Sequence, residues 1–120
     1  MSPVPMLQIA MDYITLPPAL AMAVKVASEV DIIEIGTPLC KAAGLEAIRS
    51  MREIVPDKLI LADFKSPDVG GLEAKMAFDA GADMMTVIGQ VSFNADGTGN
   101  VLNPLVQWIN GEMQLVWPLD

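Results

Sequence analysis

Short apolar runs alternating with helix-length segments set the rhythm of the chain. Residues 6–11 (MLQIAM) form an apolar run closed by Asp12, which predicts a buried strand. Thr15 is placed to cap a helix entered through Pro17 and Pro18, residues that suit a first helical turn, and the helix runs on through ALAMAVKVASEV. Residues 31–35 (DIIEI) read as a second strand, followed by the turn Gly36-Thr37-Pro38. A helix is predicted over 40–55, ended by Pro56. A third strand follows over 58–62 (KLILA), and the loop after it is placed at 63–68. The next helix spans 69–80 and stops at Gly81, a natural helix terminator, and 83–88 (DMMTVI) is the fourth strand.

Strands alternating with helices through short connections call for parallel βαβ units in an α/β fold. The strands are nearly continuous in apolar residues, as expected when both faces of the sheet are covered. After Gly89 the rhythm stops. Residues 90–94 (QVSFN) alternate like a half-exposed strand, and 95–100 (ADGTGN) are a turn cluster. Residues 105–109 and 112–117 flank Asn110-Gly111, the strongest short hairpin signal. Both tryptophans, Trp108 and Trp117, fall in this hairpin. The reading is a βα domain over 1–89 and a β-rich tail over 90–120 that packs on it.

Composition narrows the function classes. With 120 residues, 52% of them hydrophobic and 18% charged, the chain is a packed domain rather than a disordered one. A net charge of −8 disfavours nucleic acid as a partner. There is no histidine, so proton transfer falls to Asp, Glu, Lys or Tyr. Cys40 stands alone in an apolar stretch and reads as a core thiol, and the nine methionines read as core filling. No run approaches the roughly 18 apolar residues of a membrane span, and the start of the chain has no secretory pattern. A cytoplasmic protein with no membrane partner is the expectation.

In parallel α/β folds, functional groups gather at the C-terminal ends of the strands. Asp12 ends the first strand, Glu34 lies near the end of the second, and Asp63 and Lys65 end the third, with Asp68 next. A charge at the end of an apolar strand is costly unless it is paired or bound to metal. Glu34 and Asp63 on adjacent strands suit a hard divalent cation such as Mg²⁺, and Lys65 suits an anionic intermediate. The alternative is purely structural, with Asp63, Lys65 and Asp68 forming an ion pair and a helix cap. Gly70-Gly71 at a helix start and the Asp96-Gly97 turn are weaker candidates.

Asp63-Phe64-Lys65-Ser66-Pro67-Asp68 is a D-x-K-x-x-D motif on the third strand of a βα series. It resembles the orotidine 5′-monophosphate decarboxylase suprafamily. The stretches LQIAMD, EIGTPLCKAAGLEAIR, PDKLILADFKSPDVG and AKMAFDAGADMMTVIG are similar to 3-hexulose-6-phosphate synthase and to its relative 3-keto-L-gulonate-6-phosphate decarboxylase. The resemblance covers about residues 6–89. It implies half of a (β/α)8 barrel, β-α-β-α-β-α-β and parallel, followed by the hairpin-like tail.

The resemblance further implies an aldehyde-lyase that adds formaldehyde to ribulose 5-phosphate through a Mg²⁺-stabilised enediolate. Glu34 and Asp63 would ligate the metal, Asp12, Thr37 and Lys41 would bind substrate, and Lys65, Asp68 and Asp12 would be the catalytic residues. Lys65 would steady the enediolate, and Asp68 would reach the neighbouring site of a homodimer. The later strands of that family, with its phosphate-binding loops, have no counterpart here. The tail instead resembles the C-terminal strands of periplasmic binding proteins for branched-chain amino acids, which suggests a chimera. Two further readings stay open: a non-catalytic scaffold, chimeric or truncated, and a decarboxylase of the related type.

Overall fold

The computed structural model describes residues 4–88, 92–93, 99–100, 105–110 and 112–117. Four strands, β1 (Gln8–Met11), β2 (Ile32–Ile35), β3 (Leu59–Ser66) and β4 (Met84–Val87), lie side by side in chain order, all parallel. The helices α1 (Leu16–Val26), α2 (Thr37–Ala43), α3 (Leu45–Ile54) and α4 (Gly70–Asp79) fill the crossovers. This is the parallel α/β order expected from the apolar rhythm, and the half barrel that the resemblance implies.

The register sorts side chains by face, because successive strand residues point opposite ways. Ile9 and Met11, Ile33 and Ile35, Ile60 and Ala62, and Met85 and Val87 share one face and belong to the main core. Ala19, Ala23, Leu39, Ala47, Ile48, Met51, Ala74 and Ala77 of the helices fill it from the other side. Ala19 and Ala23 of α1 and Ala74 and Ala77 of α4 are small residues buried in that core. Gln8 and Ala10 point the opposite way and are exposed, with Ile32 and Glu34 half-buried beside them. Strands buried on both faces were expected throughout. β3 meets that expectation, but β1, at the sheet edge, alternates between exposed and covered positions.

Four local readings change. The helix expected over 40–55 is two helices that meet at Gly44, whose φ of 58° and ψ of −145° no helix can contain. The loop expected at 63–68 is strand as far as Ser66, because three of its residues bulge from the ladder while the pairing resumes at Ser66–Val87. Thr15 sits at the N-cap of α1 in an extended conformation, but its side chain makes no capping bond. Part of the cluster at 95–100 is a strand: β6 (Gly99–Asn100) pairs antiparallel with β5 (Ser92–Phe93) as a separate ribbon. The rest of that cluster, like Gly111 of the hairpin turn, lies outside the described residues.

The hairpin itself is present. β7 (Leu105–Ile109) and β8 (Glu112–Trp117) pair antiparallel, with Asn110 at φ 53° between them. β7 also pairs antiparallel with β4, so the sheet runs β1-β2-β3-β4-β7-β8. The edge of β4, which a continuing barrel would give to another parallel strand, is taken by this hairpin.

At the opposite end of the strands from the candidate site, Arg52 ties the layers together. Its guanidinium donates to the carbonyls of Pro56 (3.0 Å), Lys58 (2.8 Å) and Gly81 (2.9 Å) and to Asp83 Oδ2 (2.5 Å). Asp83 Oδ2 also accepts the Ile60 N–H at 2.7 Å. The planar fork of arginine suits such a cluster of acceptors at the starts of β3 and β4. Among the described residues, no helix is long and apolar enough to cross a membrane.

The two kinds of glycine make a stability contrast. A Cβ at Gly44 meets open space, so Gly44→Ala carries backbone strain alone and costs about 1–3 kcal/mol in urea denaturation. Gly71, inside α4 and equally open, has no positive φ. Gly71→Ala is neutral or stabilising by up to about 1 kcal/mol.

Candidate functional site

The end of β3 carries the chemistry. Strand pairing joins Ala62 to Met85 and Ser66 to Val87, so Asp63, Phe64 and Lys65 face the single residue Thr86. Bulges of this kind re-aim side chains beside functional sites. Lys65 adopts φ 49°, in the left-handed region that a side chain normally avoids. Its ammonium consequently turns back onto the carboxylate of Asp63, with which it pairs through Oδ2.

Asp63 is 6% exposed, yet every partner it needs is present. Thr37 Oγ1 donates to Oδ2 at 2.7 Å, and Thr86 Oγ1 donates to Oδ1 at 2.7 Å. Lys65 Nζ also donates to Thr37 Oγ1 at 2.8 Å, so the two hydroxyls and the ammonium form one network. Burial pushes the Asp63 carboxyl upward. The hydrogen bonds from Lys65, Thr37 and Thr86 outweigh that and hold it below the usual aspartate value. Among the described residues, no buried side-chain donor or acceptor lacks a partner.

Glu34, on the same face of β2, behaves oppositely. Burial raises its carboxyl first; the Gln8 amide, donating to Oε2 at 2.7 Å, lowers it, and the neighbouring Asp63 raises it again. Two carboxylates are thus held near one another, and one of them resists ionisation. Among the described residues, no group of three or more His, Cys, Asp or Glu side chains converges to hold a metal. The pair Glu34 and Asp63 still fits a hard cation of the Mg²⁺ kind, which takes one or two carboxylates and leaves its other positions to water and substrate.

The remaining candidates are spread around this centre. Asp12, at the end of β1, is exposed, and its carboxylate lies against the backbone of Gly36. A Cβ at Gly36 would collide with Asp12 Oδ1 and lie 3.1 Å from the Met11 carbonyl, so this approach requires glycine. Asp68 is exposed and accepts the Val69 N–H at 2.8 Å, outside the Asp63–Lys65 network. Lys41 is exposed on α2 and lines a pocket of about 250 Å³ with Thr37, Cys40, Phe64, Glu73 and Met76. That pocket meets the network only at Thr37. Cys40 is buried and bonds the Ile35 carbonyl, and burial pushes its thiol up to about 12, which suits an inert core residue.

Two members of the network were not anticipated from the sequence: Thr86 and Gln8. Each is the polar residue inside an otherwise apolar strand (MMTV and QIAM), the same signal that singled out Glu34 in IIEI.

Fold and site together define a βα half barrel with an acid–lysine centre at its strand ends. The chain belongs to the orotidine 5′-phosphate decarboxylase / HUMPS family, whose model matches residues 5–94. It is 52% identical over 83 residues to 3-hexulose-6-phosphate synthase of Mycobacterium gastri, covering 69% of this chain and 40% of that protein. It is 39% identical over 111 residues to 3-keto-L-gulonate-6-phosphate decarboxylase of Escherichia coli, covering 92% of this chain and 50% of that protein. An alignment of that extent necessarily runs past Gly89 into the tail. The structure of KGPDC from Streptococcus mutans in complex with D-R5P superimposes with a TM-score of 0.67 at 44% identity, over 69% of this chain and 38% of that one. The chain thus spans half or less of the length of these relatives.

Glu34 supplies a pH test. Its folded-state carboxyl is raised, so ionised Glu34 destabilises the fold at neutral pH, and that cost disappears on acidification. Glu34→Gln keeps an oxygen for Gln8 and raises the melting temperature at pH 7. The difference from wild type closes as pH falls through the raised value and is gone below the ordinary glutamate value of 4.5. Thermal scans from pH 3 to 8 measure it.

Proposed function

We propose that this chain carries the enediolate-binding half of a sugar-phosphate aldehyde-lyase site, of the type that adds formaldehyde to ribulose 5-phosphate. The observation that supports it is the network at the end of β3, where the Lys65 ammonium is aimed by Asp63 and Thr37 beside Glu34. Removing a proton next to a carbonyl leaves negative charge on oxygen. A fixed ammonium at a strand end stabilises such charge better than water does, because it needs no reorganisation.

In this reading Glu34 and Asp63 hold Mg²⁺, which would polarise the substrate oxygens. Asp12 binds substrate hydroxyls, and Thr37 and Lys41 contribute to substrate binding from α2. Asp68, pointing away from its own network, serves the site of a second copy in a homodimer. The similarity to 3-hexulose-6-phosphate synthase supports the aldol chemistry. The longer match to 3-keto-L-gulonate-6-phosphate decarboxylase supports a decarboxylase as the second reading, since both reactions pass through an enediolate. Because the chain spans half or less of these relatives, turnover by this chain alone is expected to be slow.

Thermal shift with ribulose 5-phosphate and Mg²⁺, followed by a formaldehyde-consumption assay on the same sample, tests the proposal. The expected result is a Mg²⁺-dependent rise in melting temperature and slow loss of formaldehyde, both abolished by Lys65→Ala. Carbon dioxide release from 3-keto-L-gulonate 6-phosphate, without formaldehyde consumption, favours the second reading. No ligand effect and no turnover with either substrate leaves the family residues as a scaffold and overturns both.

A further inference from the structure

We infer that Thr86 is a positioning residue: its hydroxyl holds Lys65 in the left-handed conformation that aims the ammonium at Asp63. The strand pairing sets the problem. Between Ala62–Met85 and Ser66–Val87, β3 has three residues where β4 has one, so the ladder has no regular partner for the Lys65 N–H. Backbone donors at half-buried positions need an acceptor. Thr86 Oγ1 supplies it at 2.9 Å, in place of a β4 carbonyl.

The same oxygen donates its proton to Asp63 Oδ1 at 2.7 Å. A hydroxyl has one proton and two lone pairs, so it can take both roles at once. One side chain thereby fixes both ends of the bulge: the carboxylate at 63 and the backbone of residue 65. The constraint has something to hold, because Lys65 is one of two non-glycine residues, with Asn110, whose φ lies in the left-handed region among the described residues. Such a conformation persists only where its surroundings over-determine it. Thr37 anchors the ammonium from α2, while Thr86 anchors the backbone that carries it. Valine at 86 would keep the shape and the β-branched fit to the strand but lose both bonds. Serine would keep both bonds and lose a methyl group.

The catalytic importance of Lys65 rests on the lyase reading above, whereas the positioning role of Thr86 does not. The experiment therefore has two readouts. Site-resolved amide hydrogen exchange is measured for wild type, Thr86→Val and Thr86→Ser, with Ile60, whose N–H bonds Asp83 at the far end of β3, as the internal reference. The expected result is exchange at Lys65 faster by about threefold to tenfold in Thr86→Val, the factor set by one ordinary hydrogen bond, with Ile60 unchanged and wild-type behaviour recovered in Thr86→Ser.

Unchanged Lys65 exchange in Thr86→Val overturns the proposal, as does Thr86→Ser behaving like Thr86→Val. If the valine variant does not fold, Thr86→Ala, which puts no γ-methyl in the place of the hydroxyl beside the Asp63 carboxylate, is judged by the same two criteria. In the formaldehyde assay, Thr86→Val lowers kcat with little change in KM, and Thr86→Ser restores it. Wild-type protein without turnover defeats the lyase reading, while the exchange measurement still decides the role of Thr86.

Discussion

The buried carboxylate of Asp63 is the constraint around which the working end of this molecule is arranged. An ionised group at the end of an apolar strand is tolerated only with full compensation, and here it comes from three elements: Thr37 on α2, Lys65 on β3 and Thr86 on β4. Meeting that demand requires β3 to leave its ladder for three residues and Lys65 to take a left-handed backbone. The result is an ammonium held in a fixed direction beside a second carboxylate, Glu34, whose pKa is raised first by burial and then by the neighbouring Asp63. In the proposed site, stability and chemistry are coupled, because Thr37 and Lys65, which help to neutralise Asp63, are also groups that would meet a substrate.

The architecture behind this centre is asymmetric. One face of the parallel sheet is sealed by four helices packed on isoleucines, methionines and alanines, with Arg52 bracing the starts of β3 and β4. The opposite face is open along β1, where Gln8 and Ala10 are exposed. A rigid, helix-backed floor beneath an accessible polar face is what a strand-end site requires. The antiparallel hairpin β7–β8 covers the edge of β4, so the strand that carries Thr86 is paired on both sides. A strand held on both sides is a firm base for a positioning side chain.

The family relationship and the geometry address different questions. The matches to 3-hexulose-6-phosphate synthase and 3-keto-L-gulonate-6-phosphate decarboxylase place the chain in its family, but the spacing of Asp63 and Lys65 on the third strand is read from this chain alone. The coordinates account for how that spacing functions, since in a regular strand both side chains would project in parallel from the same face, with no hydroxyl between them. The bulge converts parallel neighbours into a bonded pair.

The sequence by itself determined the order and direction of the parallel strands, the helical crossovers and the hairpin, because these follow from local periodicity and turn chemistry. It also placed Asp12, Glu34, Asp63 and Lys65 at strand ends, since a charge interrupting an apolar run is visible in one dimension. It did not show the break at Gly44, where composition on both sides favours helix and only the path of the chain requires a positive φ. Nor did it show the bulge at 63–65 or the part of Thr86, because both arise from the register between β3 and β4, strands 21 residues apart at the Lys65–Thr86 bond. Tertiary structure alone decided which of the charged residues meet. Lys65 turns to Asp63, while Asp68 accepts the Val69 N–H and Lys41 lines a pocket that meets the network only at Thr37, since hydrogen-bond satisfaction depends on distance in space and not on spacing along the chain.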